Sequence, residues 1–151
     1  MYEIYTDGAT SGNGKTDAPG GWAYVILKDG YLVSQNSGGE KGTTNQRMEL
    51  TAALKACEEI EAMDGFATVK LYSDSAYLIN CYKQNWWKNW RANGWRNSKK
   101  EPVANQDLWE KLIRYFMMTP SYDFIKVKGH AGNEYNEMVD KLAVAAKMRY
   151  V

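Results

Sequence analysis

One histidine and two cysteines are all that 151 residues hold of the imidazole and thiol side chains that bind zinc. Cys57 and Cys81 lie among apolar neighbours in helix-like segments, with no C-x-x-C and no spaced Cys/His set. A thiolate zinc site and a disulfide framework are therefore excluded, leaving two small buried hydrophobes of a reducing compartment. Long apolar runs are also missing. None approaches the ~20 residues of a membrane span, and Glu3 and Asp7 interrupt any apolar stretch at the start of the chain. Neither a span nor a signal peptide is expected. Net charge is almost absent, at +1, so only its local segregation can point to a partner. What is present is ordinary for a soluble globular chain, with 44% hydrophobic and 25% charged residues. A chain of this length makes about one domain, burying about 68–70% of its unfolded surface. The expectation is a single cytoplasmic domain, residues 1–151, without internal repeats.

Met1–Gly8 reads as a strand, β-branched and aromatic, stopping at a glycine. A glycine-rich loop, Gly8–Gly21, follows. It lacks the phosphate-loop spacing before Gly14-Lys15-Thr16 and opens no helix, which argues against a nucleotide cradle. Trp22–Lys28 and Tyr31–Ser37 are strands around the turn Asp29-Gly30, giving an antiparallel meander. A polar loop, Gly38–Thr43, precedes a helix from Thr44 to about Met63. A strand Thr68–Ser73, a short helix capped by Ser75, an irregular stretch Asn85–Asn105 and a helix Gln106–Met118 come next. A strand Tyr122–Lys128 and a helix Asn133–Arg149 close the chain. Strands alternating with helices in the second half imply parallel pairing with right-handed crossovers. The fold class is α/β: a five-stranded mixed sheet, its first three strands antiparallel, with helices on both faces.

Four carboxylates stand where an acid needs a reason. Asp7 ends a strand, the place beyond which α/β sheets hold ligands; a turn-starting Asp is the plainer alternative. Asp74 has the same address, with helix N-capping as its alternative. Glu49 shares a helix face with Ala52, Ala53, Ala56 and Ile60, so it points at the sheet. An unpaired charge is costly there, whereas an acid favoured by the helix dipole would sit exposed. Asp140 is mid-helix beside Val139, Leu142, Ala143 and Ala146, despite the weak helix propensity of Asp. Four acids brought together repel unless cations compensate. Oxygen donors alone select Mg²⁺ or Mn²⁺ over Zn²⁺. Two such ions would balance the formal charge and clamp a phosphoryl transfer. His130, in the Gly129–Gly132 loop, is either a solvated loop residue or a proton shuttle beside that site.

Asn85–Asn105 holds Trp86, Trp87, Trp90 and Trp95, four of the six tryptophans. It carries Lys88, Arg91, Arg96, Lys99 and Lys100 against Glu101, a local +4 that leaves −3 on the rest of the chain. In so polar a segment the tryptophans are not all expected to pack as core. Cations interleaved with rings suit a nucleic-acid backbone; an acidic protein partner is the competing use.

These residues carry a resemblance. Tyr5-Thr6-Asp7-Gly8, Thr43–Leu50, Ser73-Asp74-Ser75, Val127–Gly132 and Asn136-Glu137-x-x-Asp140-x-Leu142-Ala143 resemble ribonuclease H of type 1, in its bacterial single-domain form. The insert, at about 84–106, is similar to that family's basic protrusion. The resemblance spans nearly the whole chain. It implies an endonuclease that cleaves the RNA strand of RNA–DNA hybrids to 3′-hydroxyl and 5′-phosphate ends. Asp7, Glu49, Asp74 and Asp140 would hold Mg²⁺, two ions, with Mn²⁺ able to substitute. His130 would assist proton transfer or product release. Thr44 and Asn13 would hold a DNA phosphate, and Asn45, Gln46 and Asn105 would contact the minor groove. Trp86, Trp90 and the insert's cations, Lys88, Arg91, Arg96, Lys99 and Lys100, would track the DNA strand. No membrane and no obligate protein partner is implied. The chain departs from the family in Asn133-Glu134-Tyr135, where relatives often carry a second His and a Pro, and in the longer run Lys15-Thr16-Asp17. A DNA exonuclease or transposase-like nuclease is the rival enzyme, and a binding module with a spent site the rival without chemistry.

Overall fold

Alternation sorts the strand side chains between two layers. In β1 (Tyr2–Thr10), Tyr2 and Ile4 enter one core cluster and Tyr5 the other. β2 (Gly20–Lys28) divides Tyr24 and Ile26 from Ala23, Val25 and Leu27 in the same way. Residues two apart on a strand share a face, so both faces of the sheet are apolar and both need a cover. α1 (Asn45–Met63), α2 (Ala76–Gln84) and α4 (Gln106–Phe116) pack on the first face, and α5 (Glu134–Met148) covers the second. The computed structural model describes residues 1–12, 16–128 and 133–151.

Adding β3 (Tyr31–Glu40), β4 (Val69–Ser73) and β5 (Tyr122–Lys126) completes a five-stranded sheet in the order β3-β2-β1-β4-β5. The β1–β2 and β2–β3 pairs are antiparallel, and β1–β4 and β4–β5 are parallel. The expected α/β architecture, with helices on both faces, is the one observed. Asp29 and Gly30 both take positive φ, 51° and 87°, as a two-residue hairpin turn demands.

Several local expectations need correction. β1 does not stop at Gly8: Gly8, Ala9 and Thr10 stay paired with Trp22, Gly21 and Gly20. Backbone pairing with β2 outweighs the low strand propensity of glycine, and β2 begins at Gly20 rather than Trp22. For the same reason β3 runs to Glu40 rather than Ser37, while β5 ends at Lys126. Asn85–Asn105 is not irregular throughout. It contains α3 (Trp86–Ala92), split from α2 where Asn85 adopts a left-handed φ of 57°.

Candidate active site

The sheet's mixed pairing explains the position of the first acid. The parallel β1–β4 ladder ends at Tyr5↔Tyr72, while β1 continues against β2 alone. Asp7 therefore lies two residues past the last parallel pair, still paired with Ala23 of β2 but with no β4 residue beside it, and Asp74 follows Ser73, the final residue of β4. Two neighbouring strands thus deliver acids to one end of the sheet. The capping alternative for Asp74 is ruled out locally. Ser75 caps α2, its Oγ accepting from the Leu78 N–H at 3.1 Å.

The other two acids come from helices, one on each side of the sheet. Glu49 is in the second turn of α1, whose cap is the Thr44 hydroxyl accepting from Arg47 N–H at 3.1 Å. It is 4% exposed, among the few buried charged residues. Asp140 lies on α5, capped by Asn133, whose Oδ1 accepts from Tyr135 and Asn136 N–H at 2.8 and 3.2 Å. That gives the divergent Asn133 a structural task. Two glycines let these helices come close. A Cβ on Gly8 would stand 2.7 Å from the Glu49 backbone nitrogen, and a Cβ on Gly21 would run into the α5 backbone at Ala143 and Lys147.

Carboxylate oxygens of Asp7, Glu49 and Asp74 all lie within 4.8 Å of one another. Asp140 lines the same open cleft of about 380 Å³, together with Gly8, Asn45, Gln46 and Tyr77. Asp7 also accepts from the Gly8 N–H at 2.9 Å. Burial first, then the Asp74 charge, pushes Asp7 from an ordinary 3.8 up to about 7. Burial and then the Asp7 and Asp74 charges drive Glu49 well above the usual carboxylate range. One Glu49 oxygen, Oε2, is buried with no hydrogen-bond partner among the described residues.

The Trp-rich insert has two faces. Trp86, Trp90 and Arg96 line a groove of about 680 Å³, and ring contacts run inward from Trp86 to Trp90 (6.4 Å) and on to buried Trp109 (5.6 Å). Lys88 and Arg91 instead lie over Trp87, at 5.4 and 5.9 Å. Trp87 is core, and Trp86, Trp90 and Trp95 pack against the core partly exposed, so more of the tryptophans are structural than composition suggested. Trp90 packs on Trp109 of α4, and Trp86 and Trp95 pack on Trp90, a link no local pattern could reveal. Lys99 and Lys100 are exposed. Asn13 and His130 lie outside the described residues.

Sequence reasoning missed Arg47. Its guanidinium grips Asp107 through Nη1 and Nη2 at 3.0 and 2.7 Å, reaches Asn105 Oδ1 at 3.3 Å and stands 3.4 Å from Glu40. It joins the start of α1 to the end of the insert.

A family profile described as RNase H matches residues 1–148. The chain belongs to the ribonuclease H family. A ribonuclease H of Thermoanaerobacter sp. is 49% identical over 143 residues, covering 95% of this chain and 87% of that protein. One from Caldanaerobacter subterraneus subsp. tengcongensis is 46% identical over 151 residues, covering 100% and 94%. A solved type 1 RNase H with the type 2 active-site motif is similar at 26% identity and a TM-score of 0.81, covering 99% of this chain and 73% of that one. Ribonucleases H depend on metal, and the donor set here fits one. Among the described residues it is all oxygen, it clusters acids that burial would push toward the neutral form, and it holds a buried Glu49 oxygen with no protein partner.

The raised acids predict an inverted pH profile for the metal-free protein. A carboxyl with a folded pKa above its unfolded value binds more protons folded than unfolded. Its stabilising effect is full below the unfolded value, 3.8, and disappears as pH rises towards about 7. Melting in EDTA is therefore expected to fall across that window through this site, on the order of 2–4 kcal/mol. Divalent metal should restore the loss at neutral pH. Equal EDTA melting profiles for wild type and Asp7→Asn would contradict this.

Proposed function

We infer that this chain is a metal-dependent endoribonuclease that hydrolyses the RNA strand of RNA–DNA hybrids, leaving 3′-hydroxyl and 5′-phosphate ends. One observation carries the reading: three acids from β1, α1 and the end of β4 share a coordination-sized space that Asp140 borders. Mg²⁺ is the proposed cofactor, two ions, with Mn²⁺ able to substitute. Bound there, it would polarise the scissile phosphate and make water a nucleophile at neutral pH. The proposed ligands are Asp7, Glu49, Asp74 and Asp140.

The chain's own residues would position the substrate. Asn45 and Gln46 line the cleft on the first turn of α1, suited to a minor groove in which only the RNA strand carries 2′-hydroxyls. The Thr44 oxygen already accepts from Arg47 N–H, which leaves its proton to donate to a DNA phosphate. Asn105 would contact the hybrid beside them. Asn13 and His130 keep their proposed roles in phosphate contact and proton transfer or product release. The DNA strand would follow the protrusion, 84–106, past Trp86, Trp90, Arg96, Lys99 and Lys100, with Lys88 and Arg91 contributing charge from the other face of α3. Residues 1–151 would act as a single cytoplasmic ribonuclease H domain needing no obligate protein partner and no membrane.

Matched RNA–DNA, DNA–DNA and RNA–RNA duplexes, incubated in Mg²⁺ and again in EDTA, test it. The hybrid alone should be cut, and only with metal. DNA–DNA cut as readily would replace this reading with a DNA nuclease. Replacing Lys99 and Lys100 together by Gln should weaken hybrid binding and lower the slope of log K against log salt by about 2. An unchanged slope would remove both lysines from the contact surface. His130→Ala should slow turnover while binding stays near wild type; a large binding loss would make it a substrate contact instead.

A further inference from the structure

We infer that Arg47 is a positioning residue, fixing the Asn105 carboxamide so that it offers the hybrid only hydrogen-bond donors. The inference rests on the hybrid nuclease reading above. Asn105 stands at the N-cap of α4 in a left-handed conformation, φ 61°, and its side chain caps nothing. Asn is favoured at that position because its oxygen accepts a helix N–H. Here the oxygen accepts from Arg47 Nη1 instead, at 3.3 Å.

Arginine has donors and no acceptor, so the contact decides which end of the carboxamide faces it. Oδ1 turns to the guanidinium, and Nδ2, with its two N–H groups, turns away from it. The guanidinium itself cannot easily swing. Asp107 holds it through two bonds at 3.0 and 2.7 Å, and Glu40 lies 3.4 Å from Nε. The Asp107 hydrogen bonds head the causes that raise the Arg47 pKa. A forked pair of this kind adds direction as well as attraction. Arg47 also sits one residue from Gln46, on the cleft, and two from Glu49. The amide donor is thereby set in a fixed relation to the acids, although 58 residues separate Arg47 from Asn105.

A double-mutant cycle on hybrid cleavage tests this. Arg47→Met should raise KM about tenfold, the scale of one well-placed hydrogen bond, while kcat changes far less. In an Asn105→Ala background the same substitution should leave KM where Asn105→Ala alone put it, because interacting residues are not additive. An equal rise of KM in both backgrounds would overturn the inference, as would a fall in kcat at constant KM. Should Arg47→Met not fold, Asn105→Asp decides. Its carboxylate keeps the link to Arg47 but carries no donor, so KM should rise at least as far as in Asn105→Ala without loss of Tm. An unchanged KM would overturn the inference. Absence of hybrid cleavage by wild type in Mg²⁺ would overturn the function reading; intact wild-type cleavage with additive KM effects would overturn only this one.

Discussion

Asp7→Asn is expected to cut hybrid turnover to less than about a thousandth of wild type while leaving hybrid binding nearly intact. The side chain keeps its shape, so β1 and its pairing with β2 are undisturbed. What changes is charge. Asp7 is the acid that the others surround: its oxygens stand within 4.8 Å of those of Glu49 and Asp74, and Asp140 shares their cleft. A neutral amide in that position removes a hard anionic donor from the centre of the set. The same substitution should raise the Tm of the metal-free protein at neutral pH, because it removes a carboxylate whose charged form burial and then Asp74 disfavour, and whose charge in turn raises Glu49. Activity and stability are thus expected to move in opposite directions. Turnover retained at a tenth or more of wild type would show that Asp7 is not a central ligand.

Gly8→Ala should combine a loss of stability with a loss of activity. The added Cβ would meet the Glu49 nitrogen at 2.7 Å and the Met48 carbonyl carbon at 2.8 Å. Both are backbone atoms of α1, so no side chain can rotate away and the helix itself must move. Overpacking of this kind costs about 1–3 kcal/mol. A displacement approaching 1 Å at a reacting centre can cost about 100-fold in rate. Thermal melting and single-turnover cleavage, measured side by side, check both parts. Wild-type turnover in a folded Gly8→Ala protein would mean that Glu49 does not need its close seat against β1.

The four acids were legible because each broke a local rule. Asp7 and Asp74 are acids at the ends of apolar runs, and Glu49 and Asp140 sit beside apolar helical stripes. Ser75 could be read as a cap, and it is one, which freed Asp74 for the cleft. The extension of β1 to Thr10 was not legible, because propensity reads Gly8 as a stop and the pairing that overrides it lies on β2. Nor was the α2–α3 break at Asn85, which depends on a single left-handed residue. Arg47 stood inside a recognised motif, yet its partners Asn105 and Asp107 lie 58 and 60 residues away. Periodicity describes one element at a time and says nothing about such links. The same limit hid the insert's link to α4, where Trp90 packs on Trp109.

Metal is expected to be held jointly by acids from both strands and both helices. Crystals grown in Mn²⁺, with anomalous differences measured at the Mn edge, test that directly. A peak is expected in the cleft, about 2.0–2.3 Å from oxygens of Asp7 and of at least two among Glu49, Asp74 and Asp140, and it should vanish in Asp7→Asn. A cleft without a peak under conditions in which the enzyme is active in Mn²⁺, or a peak that Asp7→Asn leaves in place, would contradict it.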